Sequence, residues 1–148
     1  MRILTARQPW AWAMIHGQKD VENRSRNIAG DYRGPIAIHV AGKYAEHVDS
    51  APLDEATERW HDEPGADCNR HPWQANVGRI IGVVDLVDVH LCDGSCSPWA
   101  QELDGSRQLW HLVLANPRPL AEPIPYRGAL GLRRLDDATT AAVLEAIA

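Results

Sequence analysis

The longest strand signal in the chain is GRIIGVVDLVDVHL, residues 78–91. Its Ile and Val residues are β-branched and apolar, and Asp recurs among them, the composition of a strand with a buried face. GPIAIHVA (34–41) has the same character and starts at Pro35; LWHLVLANPRPL (109–120) ends in a Pro-broken turn; RILTA (2–6) and the segment from Tyr126-Arg127-Gly128 to Leu135 complete the strand signals. Helical signals are fewer. Pro9 can stand at a first helical position, where its missing N–H does no harm, and Trp10, Ala13, Met14 and Gly17 follow at i, i+3, i+4 and i+7, with Gly17 as a stop. Asp49 to Trp60 is amphipathic, and Asp137 to Ile147 is Ala-rich with Asp at its start, where it complements the helix dipole. This alternation is too irregular for repeated βαβ units. The expected fold class is α+β: a small mixed β-barrel with flanking helices. Strands at 35–41, 78–91, 109–115 and 128–135 should form a closed or nearly closed barrel, with the helix at 9–16 over one opening.

A chain of 148 residues suggests one domain, 1–148, around one core. Residues 45–76 read as an insertion between barrel strands, and 61–76, HDEPGADCNRHPWQAN, as a polar loop that is mobile or lies over a cleft mouth. Residues 92–107 read as a loop with a turn of helix around 98–102. Internal repeats and low-complexity segments are lacking.

The formal net charge is -5 with a pI of about 5.7, which argues against long double-stranded nucleic acid as partner while leaving room for a basic pocket around one nucleotide. No apolar run of 18 residues is present, so no membrane partner is expected, and with no signal-type segment the expected compartment is the cytoplasm. The sequon Asn23-Arg24-Ser25 should then be unused. Six Trp and no Phe is an unusual aromatic set; most of these Trp suit core anchors, and some suit stacking platforms.

Three cysteines argue against a disulfide framework. Cys68 and His71 (C-x2-H) with Cys92 and Cys96 (C-x3-C) together offer soft ligands for a tetrahedral zinc. These spacings are loose and the set is not a recurrent one, so no metal and no cofactor is assigned. Phosphate-loop, H-E-x-x-H, G-x-S-x-G and dinucleotide-binding patterns are absent.

The segment HGQKDVENR (16–24) carries the chemistry. On an extended chain Glu22 and Arg24 share a face and Lys19 lies on the other; if Lys19 still belongs to the turn after Gly17, all three converge on one cavity. A lysine beside a carboxylate in a pocket can shuttle a proton or polarise a carbonyl, and arginine offers a planar fork to a carbonyl or phosphate. The plainer reading is a solvated, charged strand edge.

The stretch LTARQPWAWAMIHGQKDVENRS resembles the opening of the ASCH family, whose members have PUA-like barrels. Arg7, Gln8, Pro9, Trp10 and Ala11 match its R-Q-P-[WY]-A pattern, and Gly17, Lys19, Glu22 and Arg24 match G-x-K-x-x-E-x-R. YRGPIAIHVA (32–41), GRIIGVVDLVDV (78–89) and WHLVLANPRPLAEPIPYRGALGL (110–132) extend the resemblance over most of the chain. The resemblance implies a cleft that receives RNA or a nucleobase. One branch of the family removes the acetyl group from N(4)-acetylcytidine with a lysine, a threonine and a glutamate. The lysine maps onto Lys19; Glu22 occupies the threonine position; the glutamate has no counterpart, Glu102 lying in the right region without local alignment.

The site that follows from this resemblance has Lys19 and Glu22 as catalytic residues and Arg7, Trp10, Arg24 and His39 as substrate-binding residues. A glutamate in place of threonine suits activation of a water, or acceptance from a cytosine amino group, in place of acyl-enzyme formation. Arg24 would meet a carbonyl oxygen, Trp10 would stack on the base, and His39, in mid-strand, would face the cleft or be satisfied by backbone. The partner is a nucleoside or RNA. Three activities are open: amide hydrolysis of an N-acylated cytosine nucleoside, non-catalytic binding of RNA or a modified base, and ribonuclease action. Lys19→Ala is expected to abolish hydrolysis while leaving the thermal midpoint nearly unchanged.

Overall fold

The computed structural model describes residues 1–94 and 96–147. The chain runs β1 (Arg2–Ala6), α1 (Trp10–His16), β2 (Val21–Arg24), β3 (Gly34–Val40), α2 (Ala51–His61), β4 (Arg79–Leu91), β5 (Leu103–Asp104), β6 (Arg107–Gln108), β7 (Trp110–Pro125), β8 (Leu132–Arg134) and α3 (Asp137–Ile147). Six strands form one sheet in the order β2-β7-β4-β3-β1-β8, and β5 pairs with β6 in a separate hairpin. Among the described residues only β1 and β3 pair in parallel.

The α+β class and the barrel-type sheet both hold. The sheet curls into a half-barrel whose edges, β2 and β8, do not meet. The curl comes from the two longest strands, β4 with 13 residues and β7 with 16. Their register shifts at Ile80/Gly82, Val83/Asp85 and Leu86/Asp88, and each bulge bends the pair and increases its twist. The last strand keeps only three residues, too short to close the ring.

The apolar runs of the central strands follow from burial on both faces. Leu4, Ile36, Ile38, Ile81, Val84 and Leu112 pack with Met14 and Ile15 of α1 on one side. Ile3, Ala37, Ile80, Val83 and Leu120 pack with Leu135, just before α3, and with Val143 of α3 on the other. Gly82 lets α1 rest on the sheet: a Cβ there would lie 2.6 Å from Ile15 Cδ1 and 2.8 Å from the Arg118 carbonyl oxygen.

α1 is buried on more than the one face its periodicity suggested. Ala11, Trp12, Ala13, Met14 and Ile15 are all buried, because α2 covers the side turned away from the sheet, with Leu53 and Ala56 against Trp12. α2 begins at Ser50, whose hydroxyl accepts from Leu53 N–H at 3.4 Å. Residues 61–76 extend this cover; they do not lie over the cleft described below. Trp73 packs edge-on against Trp12 at 5.8 Å, His71 stacks on Trp73 at 4.6 Å, and Gln8 Nε2 donates to the Ala75 carbonyl at 3.4 Å. Where a turn of helix was expected near 98–102, the chain makes a tight turn and leads into the β5–β6 hairpin. Among the described residues no helix is long and apolar enough to cross a membrane.

Candidate functional site: a cleft around Lys19, Glu22 and Arg24

The turn after α1 decides where Lys19 goes. Gly17 keeps an ordinary φ of -98° and serves by its small size: a Cβ would lie 2.9 Å from Ala13 Cα. The left-handed residue is Gln18, at φ 61°. Lys19 N–H then closes back on the Ala13 carbonyl at 2.9 Å, so Lys19 lies in the turn, ahead of β2. Its side chain is therefore free of the strand alternation and folds toward Glu22.

Lys19 is buried, at 4% exposure, and Glu22 nearly so, at 8%. Lys19 Nζ donates to the Val21 carbonyl and to Glu22 Oε2, the latter at 3.1 Å. Arg24 Nε lies 3.1 Å from Glu22 Oε1, close enough for an ion pair but without hydrogen-bond alignment, so this nitrogen keeps an unused proton. Arg24 Nη2 donates to the Thr5 carbonyl at 3.4 Å. One carboxylate is thus held between two cations. The solvated-edge reading fails, because two of the three groups are out of solvent.

Two adjoining cavities share this wall. The larger, of about 830 Å³, is lined by Thr5, Arg7, Trp10, Glu22, Arg24 and His39, among others. The smaller, of about 600 Å³, has Lys19, Glu22, Trp99 and Gln101 in its lining. Trp10, Glu22, Asn23 and Glu46 border both. The Trp10 ring also lies over the ammonium, 5.8 Å from Lys19 Nζ. Arg7 is exposed at the rim. His39 meets both expectations: Nε2 is bonded to the Tyr126 carbonyl at 2.9 Å, while Nδ1 is buried without a partner. Burial pushes its pKa down, against the opposing pull of the Tyr126 and Gly78 carbonyls. With Nε2–H donating to Tyr126, the free Nδ1 is an acceptor. The loop over His39 comes this close because residue 128 is glycine; a Cβ there would lie 2.6 Å from His39 Cε1 and 2.9 Å from Thr5 Oγ1.

A family model for the ASCH domain matches residues 4–124. The chain belongs to the ASCH domain family. Its fold agrees with solved ASCH structures from Zymomonas mobilis. A point variant of that protein superposes with a TM-score of 0.57 at 14% identity, over 99% of this chain and 98% of the other. The unsubstituted protein gives 0.54 at 13% identity, over 99% and 95%. At such identity the likeness is one of fold.

Within this ASCH chain, all six residues expected at the site border one or other cavity. Glu102 does not: it lies on a separate surface depression beside Cys92 and Asp93. The zinc quartet fails to assemble too. Cys68 is exposed on the loop beyond α2, Cys92 Sγ turns to the Gly94 carbonyl at 3.5 Å, and Cys96 Sγ lies 3.2 Å from His111 Nδ1. Sequence reasoning missed Glu46, which sits in an aperiodic loop with no local signal. It also missed Asn23, whose side chain receives Gln101 N–H at 2.8 Å and donates to the Trp99 carbonyl at 3.0 Å, seating the Trp99 turn beside the cleft. The expectation of a thermally silent Lys19→Ala needs correction as well, since a lysine this buried is also a structural partner.

Proposed function

We propose that the cleft takes the base of a pyrimidine nucleoside, free or within RNA, and that Lys19 and Glu22 hydrolyse an acyl group from the exocyclic nitrogen of cytosine. The observation that carries this reading is the buried Lys19–Glu22 pair, 3.1 Å apart, with Glu22 bordering both cavities and Lys19 the smaller one, beside Trp10. Trp10 offers a stacking face, the part-exposed Arg24 guanidinium a donor for a ring carbonyl, and His39 completes the lining of the same cavity. Arg7, Lys19 and Arg24 face Glu22, Glu46 and Asp49 across the two cavities, so the charges of the cleft balance within an acidic chain.

In the reaction, Glu22 takes a proton from water as the oxygen adds to the acyl carbon. Lys19 exchanges one of its present acceptors for the acyl oxygen, stabilising the charge that develops there. The C–N bond then breaks, and the cytosine nitrogen receives the proton from Glu22. The products are the free cytosine nucleoside and a carboxylic acid.

One observation favours a second reading, binding alone: both Glu22 oxygens already face cations, which leaves little room for a water beside either. Incubation with N(4)-acylated cytidines followed by HPLC separates the two. Release of cytidine by the wild type and none by Lys19→Ala supports hydrolysis. No release, with cytidine or RNA binding that weakens in Lys19→Ala, supports the binding module. Neither release nor binding removes both.

A further inference from the structure

Among the described residues, the proposed site leaves one cluster of metal-binding side chains unused. One donor atom from each of His90, Cys96 and His111 lies within 4.8 Å of the others. The clustering starts from strand register. His90 and His111 face each other across β4 and β7, so their side chains share a face of the sheet, with ring centroids 5.3 Å apart. Cys96 reaches them from the loop after β4, where Sγ lies 3.2 Å from His111 Nδ1.

The outer partners of both histidines are those of metal ligands, which donate one ring N–H to a carboxylate or a carbonyl and turn the other nitrogen to the ion. His111 Nε2 is bonded to the Gln101 carbonyl at 2.8 Å, which leaves the Nδ1 lone pair toward the sulfur. His90 Nδ1 is bonded to Asp88 Oδ2 at 3.3 Å, which leaves Nε2; that atom is buried and has no partner. A buried ring nitrogen with its lone pair unmet is costly unless something fills the position. His111 itself is wholly buried, so its orientation is set by the fold.

We propose that His90 Nε2, Cys96 Sγ and His111 Nδ1 bind one Zn²⁺ ion. A thiolate and two imidazoles suit zinc, and none of the three donors is the oxygen that magnesium or calcium requires. Three protein ligands leave the fourth tetrahedral position to water, which reaches it past the exposed Cys96. The ion would tie the loop after β4 to β4 and β7. That loop also carries Trp99, whose carbonyl and neighbours Asn23 and Asp20 already hold to β2. The site shares no residue with the Lys19 cleft and stands or falls independently of the activity proposed there.

The test uses the full chain, reduced and stripped of metal, titrated with ZnCl₂ and separately with CoCl₂. The expected result is one metal per chain by elemental analysis, and a thiolate-to-cobalt charge-transfer band in the near ultraviolet. Cys96→Ser should abolish the band and weaken zinc binding by more than about 100-fold, and Asp88→Asn, acting through His90, should weaken it about tenfold. Cys68→Ser and Cys92→Ala should bind as the wild type does. Circular dichroism shows that each variant is folded, and His90→Gln repeats the test should Cys96→Ser be unfolded. The proposal is overturned by a folded wild type that takes up neither metal. It is equally overturned by metal binding that survives both Cys96→Ser and His90→Gln, or that depends on Cys68.

Discussion

Replacing Lys19 should cost stability as well as activity, and the size of the loss follows from its partners. Lys19 is 4% exposed and supplies two hydrogen bonds, to the Val21 carbonyl and to Glu22. Removing one member of a buried pair costs about 3–5 kcal/mol when the remaining charge is stranded. Glu22 is not stranded, since Arg24 stays 3.1 Å from its other oxygen. The loss from Lys19→Ala should therefore fall nearer the cost of leaving a buried acceptor unmet, about 2–3 kcal/mol. In a chain of this length that lowers Tm by roughly 4–12 °C. A double-mutant cycle with Lys19→Met and Glu22→Gln, followed by urea denaturation, isolates the pair, and its coupling should be about 1–3 kcal/mol. A Lys19→Ala midpoint within about 1 °C of wild type, together with zero coupling, would refute the buried pair. The lysine would then be solvated in solution, and the cleft would lack the cation on which the proposed hydrolysis depends.

Trp10→Ala should weaken cytidine binding by the loss of one stacked base, about 1–3 kcal/mol or roughly 5- to 150-fold, as read by fluorescence titration or equilibrium dialysis; unchanged affinity would remove Trp10 from the site. His39 has its pKa lowered by burial from 6.5, so below that value the unfolded chain takes up a proton that the folded chain resists. Stability should fall as pH drops below 6.5, and His39→Gln should lessen that fall in denaturation curves collected at several pH values. Gly128→Ala should push the 127–131 loop off His39, costing about 1–3 kcal/mol and weakening ligand binding; a variant with wild-type Tm and affinity would show that the loop is not packed as described. Ser50→Ala removes the cap of α2 and should cost about 1 kcal/mol in thermal melts, with cytidine binding retained.

Much of this was legible in the linear sequence. The long apolar runs at 34–41, 78–91 and 109–120 announced strands, because β-branched residues buried on both faces leave a continuous signal. The R-Q-P-W-A and G-x-K-x-x-E-x-R patterns pointed to the family and to the residues that border the cleft. Both are local properties of the chain. The half-barrel's open seam was not local, since it depends on bulges between β4 and β7 that arise only when two strands meet. The burial of α1 all round was hidden because α2 and Trp73, which cover its outer side, lie some 40 to 60 residues further along. Glu46 joined the cleft by the path of a loop without periodicity. The cysteines show the limit most plainly. Spacing along the chain linked Cys68, His71, Cys92 and Cys96, whereas the fold gathers Cys96 with His90 and His111. Strand pairing sets which side chains face one another, and a register of hydrogen bonds between distant segments leaves no trace in the order of residues along either one.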